Sequence, residues 1–68
     1  MNEDVLNMSV RKFLKKVGVT SQREIETAIR SAEASGKLGG RTSLQANVKL
    51  SVEDLGLEVE IPGTVELE

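Results

Sequence analysis

Gly36-Lys37-Leu38-Gly39-Gly40-Arg41-Thr42 is the stretch across which the apolar period of this 68-residue chain changes. Before it, apolar residues recur at the three-and-four spacing of an α-helix. After it, they alternate at the two-residue spacing of a strand. The switch happens once. It predicts an α+β chain with helices before residue 36 and strands after residue 41.

Working back from Gly36, Ile25, Ala28, Ile29 and Ala32 form an i, i+3, i+4, i+7 stripe. Ser21-Gln22-Arg23-Glu24 has the form of a capping box, with Thr20 as the alternative N-cap. This spacing predicts a helix over 21–35, closed by Gly36 in a left-handed conformation. Its outer face carries Glu26–Arg30 and Glu33–Lys37 at i, i+4, acid first, which favours a helix. Further back, Leu6, Val10, Phe13, Leu14 and Val17 make a second stripe. Asn2 is suited to cap it, Glu3 and Asp4 suit the positive end of the dipole, and Gly18 supplies a stop. The reading is a helix over 3–17, joined through Gly18–Thr20 to an antiparallel or angled neighbour.

Working forward, Leu44, Ala46, Val48, Leu50 and Val52 alternate with Ser43, Gln45, Asn47, Lys49 and Ser51. Beyond Glu53-Asp54-Leu55-Gly56, the residues Leu57, Val59, Ile61, Gly63, Val65 and Leu67 keep odd parity without a break at Pro62-Gly63. A two-residue Pro-Gly hairpin would need a strand-splaying turn and would oppose Glu58 and Glu60 to Glu66 and Glu68. The reading is therefore two strands, 42–52 and 57–67, the second long and bent at Pro62, with Leu67-Glu68 continuing the native pattern. A four-residue loop with Gly56 at positive φ pairs residues whose numbers sum to 109. That register opposes Leu50 to Val59, Lys49 to Glu60 and Arg41 to Glu68. It also turns the position without an N–H, Pro62, away from the first strand. The expected architecture is α-α-β-β, one domain over 1–68, with both helices packed on the apolar face of the hairpin. Leu6, Val10, Phe13, Leu14, Val17, Ile25, Ile29, Leu44, Val48, Leu50, Val59 and Ile61 are the expected core, with Phe13, the only aromatic residue, at its centre.

At this length a hydrophobic core is barely sufficient, and the absence of cysteine removes disulfides and thiolate chemistry. Marginal size makes self-association an expectation from the start. The acidic N-terminus has no basic segment followed by an apolar one, and no stretch is apolar enough to span a membrane, so a cytoplasmic setting without membrane partners is expected. Charge is segregated: residues 1–41 hold eight Lys/Arg and five Asp/Glu, whereas 42–68 hold one Lys and six acids. The net charge of −2 weighs against a dedicated nucleic-acid binder.

The residues offer little for catalysis. With no His, Cys, Tyr or Trp, the usual bases, soft metal ligands and stacking platforms are missing. Ser9-Val10-Arg11-Lys12 has the S-x-x-K spacing of some acyl-transfer enzymes, but their companion motifs have no room here. The glycine-rich 36–42 stretch follows a helix and precedes a strand, the reverse of a phosphate-cradling loop. Glu58, Glu60, Glu66 and Glu68 share one side of a strand and read as a solvated acidic face. The chain is thus expected to be no enzyme and to hold no cofactor or metal. Arg11, Lys12, Lys15, Lys16 and Arg23 form the candidate interaction surface, although cations at a helix end also have a plain dipole explanation. Ser43, Gln45, Asn47 and Lys49 are the candidate positions for pairing along an exposed strand edge.

The opening Met1-Asn2-Glu3-Asp4-Val5, with Asn7-Met8-Ser9-Val10-Arg11-Lys12-Phe13-Leu14-Lys15 and Val17-Gly18-Val19-Thr20-Ser21-Gln22-Arg23-Glu24-Ile25-Glu26, resembles a family of uncharacterised bacterial proteins of about this length. The resemblance extends along the whole chain and is strongest before Gly36. It implies a bacterial setting, carries no established activity, and transfers no functional residue. From the residues themselves, the expected function is a non-catalytic protein–protein interaction module that self-associates through the first strand's edge. The alternative is a nucleic-acid-binding regulator. It would use the basic face of helix one and Gln22 and Arg23 at the start of helix two, although the third helix of the usual DNA-binding unit is missing.

Overall fold

The computed structural model describes all of residues 1–68. It contains one helix, α1 (Glu3–Ala34), then strand β1 (Ser43–Val52), a 3-10 turn over Glu53–Leu55, and strand β2 (Leu57–Glu66). The chain divides into two compact units, Met1–Leu38 and Gly39–Glu68. The α+β class stands, but the pair of helices over 3–17 and 21–35 is replaced by a single helix of 32 residues, about 48 Å long.

α1 begins as its sequence predicts. The Asn2 side-chain oxygen accepts hydrogen bonds from the amides of Asp4 at 3.0 Å and Val5 at 3.1 Å. Glu3 and Asp4 occupy the first turn. Gly18, read as a stop, does not adopt positive φ, and the helix runs through it. Glycine inside a helix costs about 1 kcal/mol relative to alanine. A break would instead strip hydrogen bonds from four carbonyls and four amides. The apolar stripe also keeps its phase across the glycine. Leu6, Val10, Leu14 and Val17 are spaced by four, four and three, and Val17, Ser21, Ile25 and Ala28 repeat that spacing before Ala32. The capping-box residues Ser21 and Glu24 are consequently helix interior, and the smaller local penalty at Gly18 is the one accepted.

The C-terminus is closed by a Schellman motif. The Lys37 amide donates to the Ala32 carbonyl at 2.8 Å and the Gly36 amide to the Glu33 carbonyl at 3.2 Å, with Gly36 at φ 74°. This matches the stop read at Gly36.

In the second unit, β1 and β2 pair antiparallel in the expected sum-of-109 register, with Val52 opposite Leu57, Leu50 opposite Val59 and Lys49 opposite Glu60. Gly56 closes the loop at φ 63°, its amide donating to the Glu53 carbonyl at 3.0 Å. No third strand forms, and β2 continues through Pro62-Gly63. Because the pleat alternates, one face carries only Leu44, Ala46, Val48, Leu50, Val52, Leu57, Val59, Ile61, Gly63 and Val65. The other carries the polar partners and Pro62. Lys49 Nζ lies 3.9 Å from Glu60 Oε1, both well exposed, so the pair contributes little. Gln45 Nε2 donates to Thr64 Oγ1 at 3.4 Å. Arg41 and Glu68 fall outside the strands, and Lys49–Glu60 is the one ion pair present.

Neither unit forms a core by itself. No residue is buried, and Phe13, placed at its centre by the sequence, is 54% exposed. A single helix and a two-stranded hairpin are each one layer thick, and a layer buries its apolar face only against another. Within each unit the apolar residues are arranged as one face.

Gly18→Ala is expected to stabilise α1 by about 1 kcal/mol, since an added Cβ there meets nothing within 4 Å. Gly56→Ala, forced into the left-handed region, should destabilise the hairpin by about 1 kcal/mol. Thermal melts followed by circular dichroism at matched concentration would show the two changes moving in opposite directions.

Candidate interaction surfaces

The basic cluster is an outcome of the single helix. At about 100° per residue, Arg11, Lys12, Lys15, Lys16 and Arg23 fall within an arc of about 140° opposite the Leu6–Ala32 stripe, and all five are exposed. They sit in the first two-thirds of α1 and not at its C-terminus, whose last turn carries no cation. The dipole explanation therefore fails for them. Arg11–Lys15 and Lys12–Lys16 are like charges at i, i+4, which weaken a helix by a few tenths of a kcal/mol each. Residues 5–23 hold five cations and no acid, and none of the five is ion-paired. Gln22 and Arg23 no longer begin a helix, so the helix–turn–helix placement expected of them is overturned.

The strand edge follows from the phase of the ladder. The Leu67 amide donates to the Thr42 carbonyl at 2.8 Å, which makes Thr42–Leu67 a hydrogen-bonded pair in the sum-of-109 register. Every even residue of β1 then bonds β2, and every odd residue turns its N–H and C=O outward. Ser43, Gln45, Asn47 and Lys49 therefore present their backbone groups along the outer side of a sheet that has only two strands. The outer side of β2 is marked by Glu58, Glu60, Glu66 and by Pro62, which has no N–H to offer. The edges differ: β2 is blunted by proline and acid, β1 only by Lys49.

The third surface was missed at the level of sequence. Leu6, Val10, Phe13, Leu14 and Ile25 are exposed along one face of α1. The four-four-three spacing through Gly18 is the signal that would have found it. The concavities are open and shallow, one of them running along Phe13, Lys16, Val17, Thr20 and Ser21. No three His, Cys, Asp or Glu side chains gather closely enough to hold a metal ion. No helix is long and apolar enough to cross a membrane.

Among curated proteins and among solved structures, nothing matches this chain. One family model does match, over residues 1–68, and with it the chain is shown to belong to DUF6494, a family of unknown function.

Proposed function

We propose that the chain is a small, non-catalytic protein–protein interaction module that associates with itself through the outer edge of β1. The observation that carries this reading is that no residue is buried while a ten-residue strand keeps one edge unpaired. A two-stranded hairpin is marginal alone in water. Antiparallel addition of a second β1 gives four strands and one continuous apolar face. With Asn47 opposite its own copy, Lys49 faces Gln45 and Ser51 faces Ser43, so no like charges meet. Pairing β2 with its copy about Pro62 would set Glu58 against Glu66 and lose the central amides, which disfavours that edge.

Asn47 provides the cleanest probe, because its amide points away from β2 and proline there removes no bond inside the hairpin. In the wild-type chain the outward amides of Gln45, Asn47 and Lys49 are expected to be protected from hydrogen exchange, increasingly so with concentration. Asn47→Pro should preserve the hairpin and abolish protection at Gln45 and Lys49. Losing two interchain bonds at about 1 kcal/mol each weakens the contact about thirtyfold. Free exchange of those amides in the wild type at high concentration would contradict the edge contact.

The second reading rests on the acid-free run of cations at Arg11, Lys12, Lys15, Lys16 and Arg23, which suits a phosphate backbone. It predicts binding to duplex DNA or RNA that falls steeply with salt and weakens further in Lys12→Ala/Lys16→Ala. A titration with no binding at low ionic strength removes it.

A further inference from the structure

We propose that residues 5–23 of α1 lie on an anionic phospholipid surface, with the cationic face of the helix against the headgroups. This face points away from the Leu6–Ala32 stripe, so the contact does not depend on what covers the stripe. It also goes beyond the edge pairing of β1. The cations are those of the nucleic-acid reading; the side chains set among them are what favours lipid.

At about 100° per residue, Val5, Met8 and Val19 fall inside the same arc of about 140° as Arg11, Lys12, Lys15, Lys16 and Arg23. All three are exposed, Met8 at 72% and Val19 at 51%. Met8 and Val19 lie near the midline of the arc, with Lys12 and Lys15 between them. The face is about 27 Å long. It holds no acid and is bounded by Asp4 at one end and Glu26 at the other.

Neither feature serves the isolated chain. The clustered cations repel one another along the helix, and the aliphatic side chains leave apolar surface in water. From Glu24 onward α1 mixes its charges, with Glu24, Glu26 and Glu33 beside Arg30, so the segregation belongs to the first two-thirds alone.

A bilayer interface accepts both features at once. Each Lys or Arg held near an anionic leaflet raises partitioning about fivefold. The long stems lie along the interface while their charges reach the phosphates, and Val5, Met8 and Val19 dip below them. A nucleic-acid backbone takes only the cations. Met8 and Val19 would then be set against phosphates, and the face has no aromatic residue to stack on bases. Lying on a surface needs no spanning segment, whose absence is the ground for expecting no membrane partner.

The chain has no tryptophan, so one introduced indole reports its own depth. Val19→Trp, on the cationic face, and Phe13→Trp, on the stripe, are made separately in the full chain. Each is mixed at low ionic strength with phosphatidylcholine vesicles containing about 30% phosphatidylserine. Val19→Trp is expected to shift its emission to the blue and to be quenched by brominated lipid chains, and Phe13→Trp to do neither. Quenching of Phe13→Trp to the same extent or more would mean that the stripe inserts, and would overturn the proposal. Equal binding to pure phosphatidylcholine vesicles would do the same.

Cosedimentation with the mixed vesicles separates charge from insertion. Lys12→Gln/Lys15→Gln should weaken binding about twenty-five-fold. Met8→Ser/Val19→Ser should weaken it about fivefold, with circular dichroism showing α1 intact. Unchanged binding by either variant counts against the contact. A wild-type chain that ignores these vesicles, yet binds duplex DNA with a steep salt dependence that Met8→Ser/Val19→Ser leaves untouched, would refute the lipid surface in favour of nucleic acid.

Discussion

An apolar face needs a second layer against it, and everything else in this protein is arranged around that requirement. In the helical unit the face is a stripe along one side of α1; in the hairpin it is one whole side of a two-stranded sheet. Neither unit has an inside. The same alternation that makes each face purely apolar makes the opposite one purely polar, so the chemistry of each unit is one-sided. Hydrogen bonding, by contrast, is well satisfied locally. Asn2 closes one end of α1, the Gly36 turn closes the other, and the hairpin ladder extends past β1 to Thr42 and Leu67.

The hairpin was legible in the sequence because three independent constraints agreed on it. Parity placed every apolar residue of both strands on one face. Lys49 and Glu60 favoured one register over its neighbours, and Pro62 tolerated only one phase of the ladder. Gly56 then fitted the single position that demands a left-handed conformation. Since register and phase also decide which amides point outward, the edge candidates Ser43, Gln45, Asn47 and Lys49 came with the fold.

The helical half was legible only in part. Gly18 followed by Thr20, Ser21 and Glu24 carries the local marks of a stop and a new start, and the same marks are compatible with a continuous helix at a cost of about 1 kcal/mol. Phase separates the two, since a real break would have no reason to preserve the four-four-three spacing across it. The misplaced core has a different origin. Periodicity says which residues share a face and is silent on what covers that face, so Phe13 was assigned to an interior that neither unit possesses. The cations Arg11, Lys12, Lys15, Lys16 and Arg23 share one arc of α1, and the competing helix-end explanation vanished once residues 11–16 ceased to lie at a helix end.

The lack of any buried residue reaches beyond architecture to the life of the protein in a cell. A chain whose apolar faces are covered only by association has no intrinsic stability that is independent of its abundance. Each tenfold dilution takes about 1.4 kcal/mol from an assembled pair, and in a domain this small that is a large share of the whole. Under the proposed association, synthesis rate and proteolysis would act directly on the folded fraction. Newly made copies would stay open to degradation until enough of them had accumulated, and the chain would behave as a gauge of its own quantity.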